Sequence, residues 1–255
     1  MKLFRYLTFF AGVLTLVFAL GFVFRMPIAT NLWPWPDGRY SYLFIGSILA
    51  AACVAMLWIG WTGLFGALPA GALNIFVIAL TTCIYFFRLA LGHGRSNLIP
   101  FGIASLSTAI ASGAAFLWSR RLSLSDPRPT PLLVRISFGI FIVSLFFAGS
   151  ALLFRVPVFP WDLNPDSSII FGCIFIGDAF YFLYGLIRPR WQNAFGQLLS
   201  FLAYDLVLIG PFLALSKTVD SDHKLSLIVY IAVLLYSGVL AVYYLFINPQ
   251  TRFGS

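Results

Sequence analysis

Two aspartates lie inside long apolar runs of this sequence. Asp178 stands in the stretch "FIGDAFYF" and Asp205 in the stretch "FLAYDLVLIG". A carboxylate in apolar surroundings is costly unless it takes up a proton, accepts hydrogen bonds or binds a cation. The nearby hydroxyls of Tyr181 and Tyr204 are candidate hydrogen-bond donors. These four residues are therefore the first candidates for a transport site or for a structural polar pair.

The composition shows what surrounds the two aspartates. Apolar residues make up 61% of the 255 residues and charged residues 9%, and the mean hydropathy is +0.96. A soluble domain of this length needs more charged surface, whereas apolar segments of about 20 residues can cross ~30 Å of hydrocarbon. Segment length and the lack of strict alternation favour helices over barrel strands. We predict an all-α integral membrane protein with eight spans, at roughly 5–24, 41–60, 71–91, 99–118, 133–154, 168–187, 195–215 and 226–247.

The net charge of +8 does not indicate a nucleic-acid partner, because the basic residues lie at the ends of the apolar segments. With eight spans both termini are on one side, which carries nine Lys and Arg residues against seven on the other. Five of the six acidic residues outside the spans fall on that other side. We expect both termini to be cytoplasmic, the lipid bilayer to be the main partner, and other membrane subunits to be further partners.

Several short motifs recur at a nearly constant offset. "FRMP" recurs as "FRVP" and "LFGAL" as "AFGQL" after 130 residues, and "FIGS" recurs as "FIGD" after 131. His93 and His223 are also 130 residues apart. We predict a tandem duplication with a four-helix repeat at 1–121, an inner linker at 122–132 and a second repeat of the same orientation at 133–255. The first span, as the counterpart of the fifth, is expected to remain as a helix rather than act as a cleaved signal peptide.

The loops after the first and fifth spans share one chemistry, in which an arginine is followed by proline, aromatic residues and aspartate. Tryptophan and arginine suit the headgroup level of a membrane. The simpler interpretation is an interfacial anchor with a turn, and the alternative is a paired binding site on the outer face. The candidate residues are Arg25, Trp33, Trp35, Asp37, Arg155, Trp161 and Asp162.

The stretch "LWPWPDGRYSYLFIGSILAA" resembles a motif of uncharacterised bacterial multi-pass membrane proteins. In that motif a Trp-Pro-Trp loop precedes a helix that opens with Ile-Gly and small residues. The resemblance implies a bacterial inner-membrane location. It implies no activity.

Other site chemistry is not indicated. Cys53, Cys83 and Cys173 lie in apolar spans without CxxC spacing, which predicts neither disulfides nor a zinc site. The two histidines are expected to be solvated loop residues. The sequence has no catalytic triad, phosphate loop, HExxH motif or dinucleotide fingerprint, so we predict no catalytic residues, no metal and no cofactor.

The position of the two aspartates along their spans leaves three hypotheses. Asp178 lies ten residues before Arg188 and Asp205 eleven after Ala194, so both are ~15 Å from the same membrane face. They could lock the second repeat through hydrogen bonds, or form a site for proton- or cation-coupled transport.

The third hypothesis is intramembrane hydrolysis, since "IGD" and "YD" resemble the paired aspartates of presenilin-like proteases. Phe175 replaces the first glycine of that pattern, the motif order is reversed and no Pro-Ala-Leu follows. The sequence therefore favours a structural or accessory membrane protein, with a small transporter as the alternative and an enzyme third.

Overall fold

The computed structural model describes residues 2–253, and over this range the chain is built from helices joined by short loops. Eight helices are long and apolar enough to cross a membrane, which confirms the eight predicted spans. The short α2 lies in the connection between the first two spans. The helices are α1 (Lys2–Val23), α2 (Pro27–Thr30), α3 (Arg39–Thr62), α4 (Leu68–Gly92), α5 (Ile99–Ser119), α6 (Leu132–Leu153), α7 (Pro165–Ile187), α8 (Trp191–Leu215) and α9 (Ser221–Val242).

The recurring "FRMP" and "FRVP" motifs mark the same helix stop. Arg25 after α1 and Arg155 after α6 have left-handed backbones, with φ of 54° and 60°. In both, the next residue donates its amide to the carbonyl five residues back, at 2.7 Å after α1 and 2.9 Å after α6. This is the hydrogen-bond pattern of a Schellman cap, and the proline that follows cannot continue the helix.

The C-terminus of α3 is closed by a glycine and an arginine. Gly63 has φ of 78°, and its amide donates to the Ile59 carbonyl at 2.7 Å. The Arg5 guanidinium, on α1, donates to the carbonyls of Gly60 and Trp61. A positive charge is favourable there because the last carbonyls of a helix carry partial negative charge.

The chain divides into two compact units, one built from helices near both ends of the sequence and the other from helices in its middle. Unit 1 contains α1, α2, α3, most of α8 and α9, whereas unit 2 contains α4, α5, α6 and α7. The predicted halves, 1–121 and 133–255, therefore each contribute two spanning helices to each unit. The duplication of the sequence itself stays a prediction. Unit 1 comprises Met1–Leu64, Pro157–Asn164 and Ala194–Ser255, and unit 2 comprises Phe65–Val156 and Pro165–Asn193.

Unit 1 contains a continuous aromatic cluster. Its neighbouring rings have centroids 4.5–6.4 Å apart, a range in which edge-to-face and tilted pairs are favourable. Phe44 and Phe212 are fully buried within it. The cluster joins α3, α8 and α9 to the loop 157–164, and its members are Tyr40, Phe44, Phe159, Trp161, Tyr204, Phe212 and Tyr230.

One helix crossing has the same geometry in both units. A Cβ built on Gly46 of α3 would lie 3.1 Å from the Ala19 carbonyl oxygen of α1. A Cβ built on Gly172 of α7 would lie 2.8 Å from the Gly149 carbonyl oxygen of α6. Ala19 and Gly149 are 130 residues apart, which is the offset of the recurring motifs, and the contacts of the two helices that follow are made at Gly46 and Gly172.

The predicted match of "FIGS" with "FIGD" would instead pair Gly46 with Gly177. Gly177 faces α4, whereas Gly46 faces α1. The register differs because the connection 154–164 is shorter than the connection 24–38. The glycine contacts of α3 and α7 therefore do not follow the offset of 131 between the two motifs, and the duplication itself stays a prediction.

The predicted inner linker is an ordered part of unit 2. The Thr130 amide donates to the Pro189 carbonyl at 3.0 Å, and the Trp191 amide donates to the Arg128 carbonyl at 2.7 Å. The buried Gln192 side chain accepts hydrogen bonds from the amides of residues 125 and 126 at 2.8 and 3.1 Å. The segment 120–131 is thus held against the loop between α7 and α8.

Candidate functional site

Asp178 is paired with an asparagine of the neighbouring helix in unit 2. Asn74 of α4 donates from Nδ2 to the Asp178 carboxylate at 2.8 Å. The two helices can approach at this point because Gly177 has no side chain. A Cβ there would overlap Ile78 and lie 2.8 Å from the Asn74 Oδ1. The carboxylate is therefore part of a close crossing of α4 with α7.

Asp205 has different surroundings, in unit 1. It lies on α8, is 4% exposed, and neither of its carboxylate oxygens has a hydrogen-bond partner among the described residues. The carboxylate faces α9, where Ser237 is the nearby polar side chain and a Cβ on Gly238 would lie 3.5 Å from Oδ2. A buried carboxylate in this state needs a proton or a bound cation.

The two predicted tyrosine partners have neighbours of their own. The Tyr204 hydroxyl forms a hydrogen bond with the Tyr230 hydroxyl of α9. The Tyr181 ring packs edge-on against Phe182, with the centroids 5.4 Å apart. The hydrogen bond that Asp178 accepts comes from Asn74 instead. Asp178 belongs to unit 2 and Asp205 to unit 1.

Two of the predicted outer-loop residues, Asp37 and Trp161, are joined through Ser41 in unit 1. Ser41, in the first turn of α3, donates to the Asp37 carboxylate at 2.7 Å and accepts a hydrogen bond of 3.0 Å from the Trp161 indole. Asp37 also accepts from the Gly38 amide at 2.9 Å. Trp161 is thus a member of the aromatic cluster and is held there by a hydrogen bond, rather than a freely exposed anchor.

The other outer-loop residues are placed separately. Trp33 and Trp35 pack edge-on, with centroids 6.2 Å apart, and Arg25 is exposed at the end of α1. The Asp162 carboxylate lies 3.7 Å from the His223 imidazole, beside a cleft of about 200 Å³. His93, the predicted counterpart of His223, follows α4 directly, whereas His223 lies in the first turn of α9.

Asp166, in the first turn of α7, is contacted by polar side chains from three other parts of the chain. The Tyr85 hydroxyl donates to Oδ1 at 2.7 Å, and Arg95 donates to Oδ2 at 2.5 Å. The Arg155 guanidinium lies 3.6 Å from Oδ1. This group, called the Asp166 centre, ties α7 to α4, to the loop after α4 and to the end of α6.

The burial of the Asp166 centre is uneven. The Asp166 side chain is 13% exposed, whereas those of Arg95 and Arg155 are 49% and 54% exposed. The carboxylate is thus enclosed while the guanidiniums reach solvent or headgroups, which is the snorkelling arrangement expected at a membrane surface. The predicted anchor Arg155 therefore has a specific acidic partner.

A second ion pair orders the segment 120–131. Asp126 accepts hydrogen bonds from the Arg128 guanidinium at 2.7–3.1 Å, and from the Arg128 amide. Chiefly through the side-chain hydrogen bonds, this holds the pKa of the Asp126 carboxyl below its ordinary value of 3.8.

The sequence reasoning missed Asn74, Tyr85 and Asp166. Asn74 carries no charge, so a survey of ionisable groups in apolar spans does not point to it. Asp166 follows Pro165 directly, and this pairing of proline with an acidic residue is itself a signal for a helix start. The partners of Asp166 lie 11, 71 and 81 residues away, at distances no local pattern reports.

No site for a metal is formed by three or more His, Cys, Asp or Glu side chains within residues 2–253. The three cysteines are free and buried. Comparisons with family models, with curated proteins and with solved structures gave no match for this chain. Function is therefore inferred from the residues and their surroundings.

Proposed function

We propose that this integral membrane protein has a structural or accessory role, in which its intramembrane polar residues fasten helices rather than carry a substrate. The observation that carries the proposal is the hydrogen bond from Asn74 to Asp178, at a crossing where Gly177 lets the helices approach. Interhelical hydrogen bonds and small residues at close crossings are the main packing devices of membrane helices.

The clefts of the structure support the same proposal. A groove of about 630 Å³ is lined by Lys2, Arg5, Tyr6, Phe9, Gly60 and Trp61. The smaller cleft lies beside Asp162 and His223. Both are at helix ends, and neither is lined by Asp178 or Asp205. A carrier needs a route from water to its coupling group, and these two clefts do not provide one.

The exposed apolar surface is that of a chain surrounded by lipid or by other membrane subunits. Large apolar side chains are exposed on several sides of α1. Their spacing along the sequence varies from one to three residues, so they do not form a single stripe on the helix. On α1 they are Leu3, Phe4, Tyr6, Leu7, Phe9, Phe10, Val13, Leu14, Leu16, Val17 and Leu20.

Proton flux into proteoliposomes tests the proposal. The full chain is reconstituted with a pH-sensitive dye inside the vesicles, and a membrane potential is imposed with valinomycin and potassium. We expect the rate of acidification to equal that of protein-free vesicles. A flux that requires the protein would overturn the structural role.

The buried state of Asp205 favours a second candidate, a small proton-coupled carrier. Neither carboxylate oxygen has a partner among the described residues, so the group is suited to take up and release a proton. This candidate predicts a flux that Asp205→Asn abolishes and that Asp162→Asn, at a fully exposed side chain, leaves intact.

The membrane and the orientation are part of the proposal. We propose a bacterial inner membrane with both termini in the cytoplasm, which places the arginines of 120–128 and 188–190 on the cytoplasmic side. Cysteines introduced singly at Arg121 and at Asp162 test it with a membrane-impermeant thiol reagent on intact cells. Asp162→Cys should react and Arg121→Cys should not; the reverse pattern would contradict it.

A further inference from the structure

Five arginines and one aspartate lie in two segments of unit 2, 119–131 and 187–193. These segments contain no other charged residue, so the local net charge is strongly positive. Arg120, Arg121, Arg188 and Arg190 are exposed. The arginine surface, as defined here, consists of Arg120, Arg121, Arg128, Arg188 and Arg190.

The fold brings the two segments together. Backbone hydrogen bonds join Thr130 to Pro189 and Trp191 to Arg128. The Arg190 guanidinium also donates to the Pro127 carbonyl at 3.0 Å. These contacts fix the loop after α7 against the segment after α5, so arginines far apart in sequence share one end of the unit.

The ends of α5 and α7 also place two guanidiniums together. The Phe116 and Tyr184 rings pack edge-on across these helices, with centroids 6.0 Å apart. The Arg120 guanidinium lies over the Phe116 ring, 5.8 Å from its centroid. Arg188 follows Tyr184 by one helical turn, and its amide donates to the Tyr184 carbonyl. The packed rings thus bring both arginines to the same end of this helix pair, where a negative counter-charge would be favourable.

Within the described chain, the aspartate of this surface does not provide that counter-charge. Asp126 is engaged by Arg128 through three side-chain hydrogen bonds. The ion pairs of residues 2–253 do not include Arg120, Arg121, Arg188 or Arg190. Four exposed guanidiniums are left without an acidic partner from the chain.

The position of the arginine surface relative to the apolar parts of the helices indicates where a counter-charge would come from. Leu117 is 50% exposed, Leu132 is 68% exposed and Ile187 is 66% exposed. Leu117 and Ile187 lie at the ends of the apolar parts of α5 and α7, and Leu132 lies at the start of the apolar part of α6. The arginines follow or precede them by a few residues, so they lie where the hydrocarbon gives way to the headgroups.

We propose that the arginine surface binds the phosphates of anionic phospholipids in the adjoining leaflet. Guanidinium groups bind phosphate oxygens in a bidentate manner, and each basic residue near an anionic membrane adds about five-fold to the association. A phosphorylated soluble partner would meet the same charges, but the flanking lipid-exposed leucines and isoleucine favour the membrane. This binding would fix the position of α5 and α7 relative to the leaflet.

Lipid selectivity measured by native mass spectrometry tests the proposal. The purified full chain is titrated with phosphatidylglycerol and, separately, with phosphatidylcholine. The test variant carries Arg121→Gln with Arg188→Gln, which removes two charges whose side chains form none of the hydrogen bonds that order the segment. The matched control carries Arg39→Gln with Lys217→Gln, which removes two exposed charges at other helix ends.

The test variant should lose the preference for phosphatidylglycerol by about 25-fold, at about five-fold for each arginine, and the control should keep it. An unchanged preference in the test variant, or an equal loss in the control, would overturn the proposal. Displacement of the lipid by inorganic phosphate or a phosphopeptide at equal concentration would assign the surface to a soluble anion instead. If the test variant is less stable than the wild type in phosphatidylcholine, the wild type provides the test on its own. Its preference for phosphatidylglycerol must then fall as the salt concentration is raised.

Discussion

The Asn74 amide donates a hydrogen bond of 2.8 Å to the Asp178 carboxylate, one residue from the glycine at which α4 meets α7. The polar pair and the close approach of the helices occur at the same place. An amide that bonds a carboxyl across such a crossing fixes both the rotation and the spacing of the helices. This relationship places Asp178 in the packing of unit 2.

The Gly177→Ala substitution tests how closely the helices pack. The added methyl group would overlap Ile78 and press on the Asn74 carbonyl, so we expect a loss of about 1–3 kcal/mol in stability. Gly139→Ala on α6 is the matched control, because nothing lies within 4 Å of its Cβ position. Thermal unfolding of the purified protein compares them, and equal midpoints for both variants would refute the close crossing.

Asp178 itself can be replaced in two ways. Asp178→Asn retains an acceptor for the Asn74 amide, and we expect it to cost less than about 1 kcal/mol. Asp178→Leu leaves the part-buried amide without its acceptor and should cost about 1–3 kcal/mol. Unfolding midpoints check the order of the two variants. If the leucine variant were the more stable, the hydrogen bond would not contribute to packing.

The Asp166 centre predicts a second stability effect. Asp166→Asn removes the charge that Arg95 and Arg155 share, and since both arginines are half exposed we expect a loss of only about 1–2 kcal/mol. Tyr85→Phe removes one hydrogen bond and should cost about 1 kcal/mol. Asp162→Asn, at a fully exposed carboxylate, is the control and should be neutral. A loss as large in the control would show that surface charge alone is responsible.

The Asp126–Arg128 pair predicts a pH dependence for the order of segment 120–131. Because the pKa of Asp126 is lower in the folded chain than its ordinary value of 3.8, its stabilising contribution is complete above about pH 4. That contribution is lost as the pH falls through the folded pKa. Hydrogen-exchange protection of the Thr130 and Trp191 amides, corrected for intrinsic rates, should therefore fall below pH 4. Asp126→Asn should remove this pH dependence, and a variant that retained it would assign the effect to another group.

Much of the helical framework could be predicted from the sequence, because apolar length alone determines which segments can span a membrane. The helix stops at Arg25 and Arg155 were also visible, as the recurring Phe-Arg-X-Pro motif. The residues at which α3 corresponds to α7 could not be predicted, since this correspondence depends on the length of the loop that precedes each helix. The grouping of the helices into two units could not be predicted either, because it depends on contacts between helices that are far apart in the sequence.

The candidate sites could also be predicted only in part. Burial of Asp205 and partial burial of Asp178 followed from their apolar neighbours in the sequence. The partner of Asp178 did not, because Asn74 lies on another helix and resembles many other polar residues. The Asp166 centre needed three residues from separate elements to converge. Such convergence is a property of the folded chain, and no spacing in the sequence reports it.

We propose that both intramembrane aspartates serve helix packing and have no water-filled route to their carboxylates. Cysteine accessibility tests this most directly, with Asp178→Cys and Asp205→Cys in a background lacking the three native cysteines. A charged, water-soluble thiol reagent should leave both positions unmodified while it labels Asp162→Cys completely. Labelling of position 178 or 205 would show a water-filled route to the carboxylates and would contradict the structural role.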